Sequence, residues 1–363
     1  SEPGIGPSIR AQPSKRLLTQ AHDDERNDQP VQCNRFDQRE SDPHVLADAA
    51  FRFRLPGHGL DHFPEDIPDA HAGAGNHEVV GYEGLAAVLQ ALLADASAAA
   101  AIDPGEVAGA GFGVAGYDWP SERQPTLDAI ATLGLHCPVE AVNDTIIGLL
   151  AGAEAGWGVA IVGGTSNNCR GWDRYQREGR VLGNGIPFGE YGGAGEAVLK
   201  AVHGVAAAWT LRGPATSLSD AFVTLTGARD VADLLEGLSQ EVYTLGADAA
   251  RTVVEHAQAG DPVAVDCVRW CGEELAGLAI GVIRQLSLQK ESFEVVLVGS
   301  FFNSGPLLLA PLQRLILAEA PQARFVRMTA PPVVGALLLG MQVAGVATVV
   351  IRHRLIESAE ALY

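Results

Sequence analysis

Four short apolar runs constrain this chain most. They are "VAGAGFGVAG", "VEAVNDT", "GVAIVGG" and "FEVVLVGS", and each breaks at a glycine or at Asn-Asp. Three of the four lead directly into helical patterns. Apolar runs of this length, closed by turn residues and set between helices, read as buried strands of mostly parallel sheets.

The helices between them carry their own signals. "YEGLAAVLQALLADASAAAAI" is an Ala/Leu-rich helix, and Ser121-Glu122-Arg123-Gln124 has the form of a capping box opening the next, which ends near Gly134. "GWDRYQREGRVLGN" reads as a hairpin turning at Glu178-Gly179. A largely helical block from about Gly193 to Leu288, with Asp230 as a cap, separates two such sheets. Pro331-Pro332 open the last helix. The apolar "VVGALLLGMQVAGVATVVI" is interrupted by Gly335, Gly340, Gln342 and Gly345, and reads as a buried helix followed by a strand rather than a membrane span. Residues 1–72 are polar, aperiodic and broken by Pro56, Pro64 and Pro68, which reads as irregular or disordered. His58 and His62 within them read as solvated, not as a metal site.

Charge narrows the function. A net charge of −19 argues against nucleic-acid or membrane partners, so any phosphate site must be built locally from backbone N–H groups. Five scattered cysteines, Cys33, Cys137, Cys169, Cys267 and Cys271, make no disulfide framework and suit a reducing cytoplasm. Cys267 and Cys271, one helical turn apart, read as buried thiols.

The strand ends hold the polar residues that carry chemistry. After "VAIV", Gly163, Gly164 and Thr165 form a turn of the kind that presents successive N–H groups to an anion. Asp144, at the junction of "VEAVN" with a helix, reads either as a cap or as a carboxylate holding Mg²⁺ through water. Asp118, in "GVAGYDWPSE", is relieved of capping by Ser121 and is a candidate general base. Glu190 lies in the glycine-rich "GIPFGEYGGAGEAVL", and Gly299-Ser300 close the strand "VVLVGS".

Taken in order, these segments resemble the BadF/BadG/BcrA/BcrD ATPase family, in its N-acetylglucosamine kinase-like branch, within the sugar-kinase, actin and Hsp70 superfamily. "GAGNHEVVGYEGL" is similar to the sugar-side loop, "GVAGYDW" to the segment with the catalytic aspartate, and "VNDT" with "VGGTSNNCRG" to a phosphate region. There, Thr165, Asn168 and Cys169 match a Gly-Thr-Gly-Ser-Asn-Cys pattern. "FGEYGGAG" resembles a Gly-Asp-Glu-Gly-Ser-Gly stretch, "VLVGSFFNSGPLL" the adenosine motif and "PPVVGALLLG" the closing helix.

The resemblance implies an α/β fold of two actin-like ATPase domains, with mixed sheets flanked by helices and a cleft between them. Residues 73–142 would be the remnant of the first, sugar-side domain. Residues 143–345 would be the second, nucleotide-side domain with a helical insertion, and 346–363 a tail. It implies a cytoplasmic, ATP- and Mg²⁺-dependent kinase of an amino sugar, most of all N-acetylglucosamine, and leaves a homodimer open. Asp118 would be catalytic. Asn76, His77, Asn168 and Glu190 would bind sugar. Gly163, Gly164, Thr165, Gly299 and Ser300 would bind nucleotide, and Asp144 would serve both nucleotide and metal. One family element is missing: residues 1–75 contain no Asp-Gly-Gly-Gly-Thr phosphate loop and no recognisable first strands. The N-terminal strands are missing or replaced, an edge such as a reading-frame change would leave, and phosphoryl transfer is expected to be impaired. Two other outcomes stay open, an ATP-hydrolysing activator of a CoA-ester dehydratase or reductase, and a non-catalytic sugar-binding remnant.

Overall fold

A computed structural model describes residues 48–53, 75–348 and 351–360, all within one unit spanning Ser41–Tyr363. Cys33, His58, His62 and most of the N-terminal stretch lie outside the described residues.

Two sheets organise them. The first has the order β1-β2-β3, with β1 (Asp48–Phe53) antiparallel to β2 (Val107–Val114), and β3 (Val139–Asn143) parallel to it. The second has the order β6-β5-β4-β7-β8. Here β4 (Gly158–Gly163), β7 (Phe293–Val298) and β8 (Ala323–Arg327) run parallel, while β5 (Asn167–Trp172) and β6 (Glu178–Arg180) are antiparallel additions. This is an α/β architecture with two mixed sheets flanked by helices.

Residues alternating along β2 face opposite ways, and the sequence "VAGAGFGV" exploits that. Ala110, Phe112 and Val114 pack with Leu85, Leu89 and Leu93 of α1 (His77–Ala100) and with Ala129 and Ile130 of α2 (Arg123–Ala131). The other face is bare glycine, and it receives backbone. A Cβ at Gly111 would lie 2.3 Å from the Ala336 carbonyl oxygen, and one at Gly109 would lie 2.5 Å from that of Gly340, both on α10 (Pro332–Val343). On α10 itself, Gly335 lets the helix meet α3 (Asp144–Gly152), where a Cβ would lie 2.0 Å from the Ile147 oxygen. So α3 and α10 form a layer between the sheets, sharing Ile146, Leu149, Leu338 and Val296 in one cluster.

The far face of the second sheet buries Val159, Ile161, Val295 and Leu297 against α4 (Ala194–Trp209), α8 (Pro262–Gln285) and α9 (Pro306–Glu319). Helices α5 (Leu218–Thr226), α6 (Val231–Ser239) and α7 (Ala250–Gln258) complete that side. Asp230 caps α6, as expected, by accepting from the Asp233 N–H at 2.9 Å.

Several local expectations are corrected. β1 lies inside the stretch read as irregular, because its six residues gain order by pairing with β2, a partner that no local pattern reveals. The helical block does not separate two sheets. It is inserted into the second, since β7 pairs with β4. The hairpin turns at Asp173–Arg177, not at Glu178-Gly179. The Asp173 carboxylate takes the Tyr175 and Arg177 N–H groups, each at 2.9 Å, and Gly179 instead clears room for Leu286 of the α8 end. Among the described residues no strand follows α10, and the next element is helix α11 (Arg352–Glu360); residues 349–350 of the expected strand lie outside them. Arg352 donates to the Leu150 and Ala151 carbonyls, both at 2.5 Å, capping α3 where its dipole favours a cation. Among the described residues, α1 is long and apolar enough by composition to cross a membrane, which the sequence reading missed. In the fold its leucines face Phe112.

Two glycine substitutions should act in opposite directions in urea denaturation. Gly111→Ala should destabilise by about 2–3 kcal/mol, because the methyl group meets α10 backbone. Gly281→Ala, in α8 with open space at its Cβ position, should stabilise by about 0.5–1 kcal/mol.

Candidate functional site

Parallel strands bring their carboxyl ends to one edge, where open α/β sheets bind ligands. Asp118 follows β2 there and is 6% exposed. Its Oδ1 accepts from Arg170 Nη2 on β5 at 2.5 Å and from Asn143 Nδ2 at the end of β3 at 3.2 Å. The Asp118 backbone carbonyl accepts from Arg180, whose guanidinium lies 5.0 Å over the Trp119 ring. Burial pushes the Asp118 carboxyl up to about 6, against the opposing pull of Arg170 and with small upward pushes from Asp144 and Glu78. A carboxylate so placed can hold or release a proton near neutrality.

Ser121 does not cap α2 as expected, since that helix starts with no side-chain cap, and the loop bearing Asp118 is fixed by Glu122. The Glu122 carboxylate accepts from the Asp118 and Trp119 N–H groups, each at 2.7 Å, because Pro120 opens a tight turn that swings Glu122 back onto them.

The sequence-derived sugar-side residues take distinct places. Asn76 caps α1, accepting from the Glu78 N–H at 2.8 Å, and sits against Gly116, two residues before Asp118. His77 is buried, stacks on Tyr82 at 4.6 Å and lies 3.7 Å from Glu122, beneath the Asp118 loop. Asn168 accepts from the Cys169 N–H at 2.8 Å on β5. Glu190 is 6% exposed, and its carboxylate accepts from the N–H groups of Leu182, Asn184 and Gly185 at 2.6, 3.0 and 3.2 Å. It thereby closes a loop whose Gly183, at φ +79°, lies directly on the Asp118 carboxyl.

Two glycine turns meet at the same edge of the second sheet. Gly163 and Gly164 end β4, and Gly299 ends β7. Gly299 has φ +104°, and a Cβ there would lie 2.5 Å from the Gly163 oxygen, so the two turns stand back to back. Beyond Gly164 the space is open, and Thr165 and Ser300 are exposed. The first N–H groups of α4 are not free for an anion: Ala194 and Gly195 donate to the Gly164 and Thr165 carbonyls, each at 2.9 Å. Asp144 opens α3. Burial raises its carboxyl, against the opposing pull of the Arg170 charge. The Gly164 N–H donates to the Ser166 carbonyl at 3.0 Å, so what this turn offers a phosphate chain is open space and the exposed Thr165 hydroxyl, and Asp144 is the carboxylate that would hold a Mg²⁺ through water.

Arg170, Arg180, Gly183, Glu122 and Arg327 escaped the sequence reading. Arg327, ending β8, donates to the Gly299 carbonyl at 2.7 Å and to Asn303 Oδ1 at 3.0 Å, so it braces the second turn. For Arg170 a signal existed: an arginine in a strand otherwise bound for burial needs an acidic partner.

Known proteins place the chain. It is 24% identical over 230 residues to an N-acetylmuramic acid/N-acetylglucosamine kinase of Clostridium acetobutylicum, covering 63% of this chain and 75% of that one. It is 28% identical over 204 residues to an N-acetyl-D-glucosamine kinase of Dictyostelium discoideum, covering 55% of this chain and 64% of that one. Its fold resembles a solved structure from Chromobacterium violaceum, named as a candidate N-acetylglucosamine kinase, with TM-score 0.57 and 21% identity over 78% of this chain and 92% of that one. At that identity the likeness concerns the fold alone. The sequence profile of the BadF/BadG/BcrA/BcrD ATPase family matches residues 65–340, well over half of the chain, which belongs to that family.

Proposed function

We propose that this chain transfers the γ-phosphoryl group of ATP to a hydroxyl of an amino sugar, with N-acetylglucosamine the preferred acceptor. The observation that carries the reading is Asp118: a buried carboxyl, raised to about 6 and held by an arginine, in the loop at the carboxyl end of β2. The names of the two kinase relatives support the choice of substrate.

In this reading Asp118 accepts the proton of the attacking sugar hydroxyl, a role worth about 10²–10⁴-fold in rate. Asn76, beside the Asp118 loop, and Asn168 present amides to the sugar. Glu190 acts by fixing the loop that carries Gly183, and His77 by supporting the turn from below. Gly163, Gly164 and Thr165 would face the phosphates, Gly299 and Ser300 would border the adenosine, and Asp144 would hold Mg²⁺ through its waters. Mg²⁺-ATP supplies the phosphoryl group and the neutralising charge when bound. With the family's Asp-Gly-Gly-Gly-Thr loop absent from residues 1–75, the β4 turn is the glycine turn left to hold phosphate, and turnover should be slow.

ADP release with Mg²⁺-ATP, measured across N-acetylglucosamine, glucosamine, N-acetylmuramic acid and glucose, tests the reading. Turnover should be greatest with N-acetylglucosamine and fall about 10²–10⁴-fold in Asp118→Asn. Turnover that survives this substitution would refute Asp118 as the base.

The rate should also depend on pH with a definite sign. Asp118 works only when ionised, so kcat/KM should be full above its raised value and fall as pH drops through about 6. An acid limb near pH 4 would mean that the working carboxylate is an ordinary exposed one.

A further inference from the structure

We propose that Arg170 is a positioning residue that divides the Asp118 carboxylate between two tasks, locking Oδ1 so that Oδ2 is presented to the sugar hydroxyl. This rests on the kinase reading above and goes further, to the atom that takes the proton and the residue that selects it.

The geometry is specific. Arg170 is 3% exposed and spans from β5 in the second sheet to the loop that follows β2 in the first. Its Nη2 donates to Asp118 Oδ1 at 2.5 Å, and Asn143 Nδ2 donates to the same oxygen at 3.2 Å. No hydrogen bond reaches Oδ2 from the described residues. Gly183, with no side chain, covers the carboxyl without supplying a donor. The second arm of the guanidinium, Nη1, is held by Glu178 Oε1 on β6 at 2.5 Å, so the fork is fixed from both sides.

A buried guanidinium is costly unless carboxylates satisfy it, and here two do. Charge-assisted bonds of this kind also fix orientation. One oxygen of Asp118 is therefore immobilised, and the other keeps its lone pairs for a proton. Nε of Arg170 is buried without a hydrogen-bond partner, so the guanidinium is aimed through Nη1 and Nη2 by its two carboxylates, with a longer bond from Nη2 to the Tyr117 carbonyl at 3.4 Å. That pattern suits a group kept for placement.

Arg170→Gln, Arg170→Lys and Glu178→Gln test the inference beside wild type. In Arg170→Gln, kcat should fall about 100-fold, the scale of a misplaced reacting group, while calorimetry finds N-acetylglucosamine affinity within a few-fold of wild type. Arg170→Lys, which keeps the charge, should recover part of that loss. Glu178→Gln changes a half-exposed partner, spares the buried pair and so keeps the protein folded; kcat should fall in the same direction by a smaller factor. A second reading needs no turnover. The ¹⁵N–¹H signals of the Arg170 guanidinium should be protected from exchange in wild type and lose that protection in Asp118→Asn.

Guanidinium signals unchanged by Asp118→Asn, or a loss carried entirely by sugar affinity with kcat intact, would overturn the inference. Wild-type turnover that is indifferent to all three substitutions would overturn it alone. A wild type that turns over none of the sugars would overturn the kinase reading along with it.

Discussion

Backbone laid directly on backbone, where β2 meets α10, is the constraint on which the rest of this structure depends. Gly109 and Gly111 leave no side chain between strand and helix, so α10 seats within contact distance of the first sheet. Gly335 does the same between α10 and α3, which in turn lies on β7 through Val296 and Val298. The two sheets are thus joined through one thin helical layer. Asp118 at the end of β2 and the glycine turns ending β4 and β7 inherit their relation from it. Glycine weakens a strand by its own conformational entropy. Here the close packing it permits offsets that cost.

Charge burial is the second organising theme. A chain with net charge −19 buries Asp118, Glu190 and Glu196 and half-buries Asp144. Each has a different solution. Glu190 spends its oxygens on three backbone N–H groups, and Glu196 caps α4 through the Gly193 N–H at 2.6 Å while meeting Asn167. Asp118 has an arginine. Asp144, at the start of a helix, has the α3 dipole and the Arg170 charge. Glu190 and Glu196 are thereby satisfied by backbone N–H groups and one amide, whereas Asp118 keeps one carboxylate oxygen without a hydrogen bond from the described residues.

Much of this was legible in the sequence. The alternation of strand and helix, the capping of α6, and the polar residues closing β2, β3, β4 and β7 all follow from local pattern, since strand ends and turns are written in adjacent residues. The family followed from the order of those motifs. The hairpin turn was misread because Glu178-Gly179 has the more familiar turn composition, whereas the Asp173 carboxylate makes the stronger local claim on backbone N–H groups. Likewise Ser121 looked like a cap, yet Pro120 opens a short turn that runs into α2, whose start has no side-chain cap, and Glu122 folds back onto the Asp118 and Trp119 N–H groups instead.

By itself the sequence determined β2, β3, β4 and β7, the glycine turns and the identity of the acid that follows β2, because each depends on residues within a few positions of one another. Tertiary structure alone decided what surrounds that acid. Arg170 reaches Asp118 across 52 positions and Asn143 across 25, while Gly183 arrives on a loop held shut by Glu190. The pairing of β1 with β2 and the helical insertion between β6 and β7 were decided the same way. Hydrogen bonds and charges act over a few ångströms of space regardless of separation along the chain. Partners far apart in sequence therefore leave no local pattern until the fold brings them together.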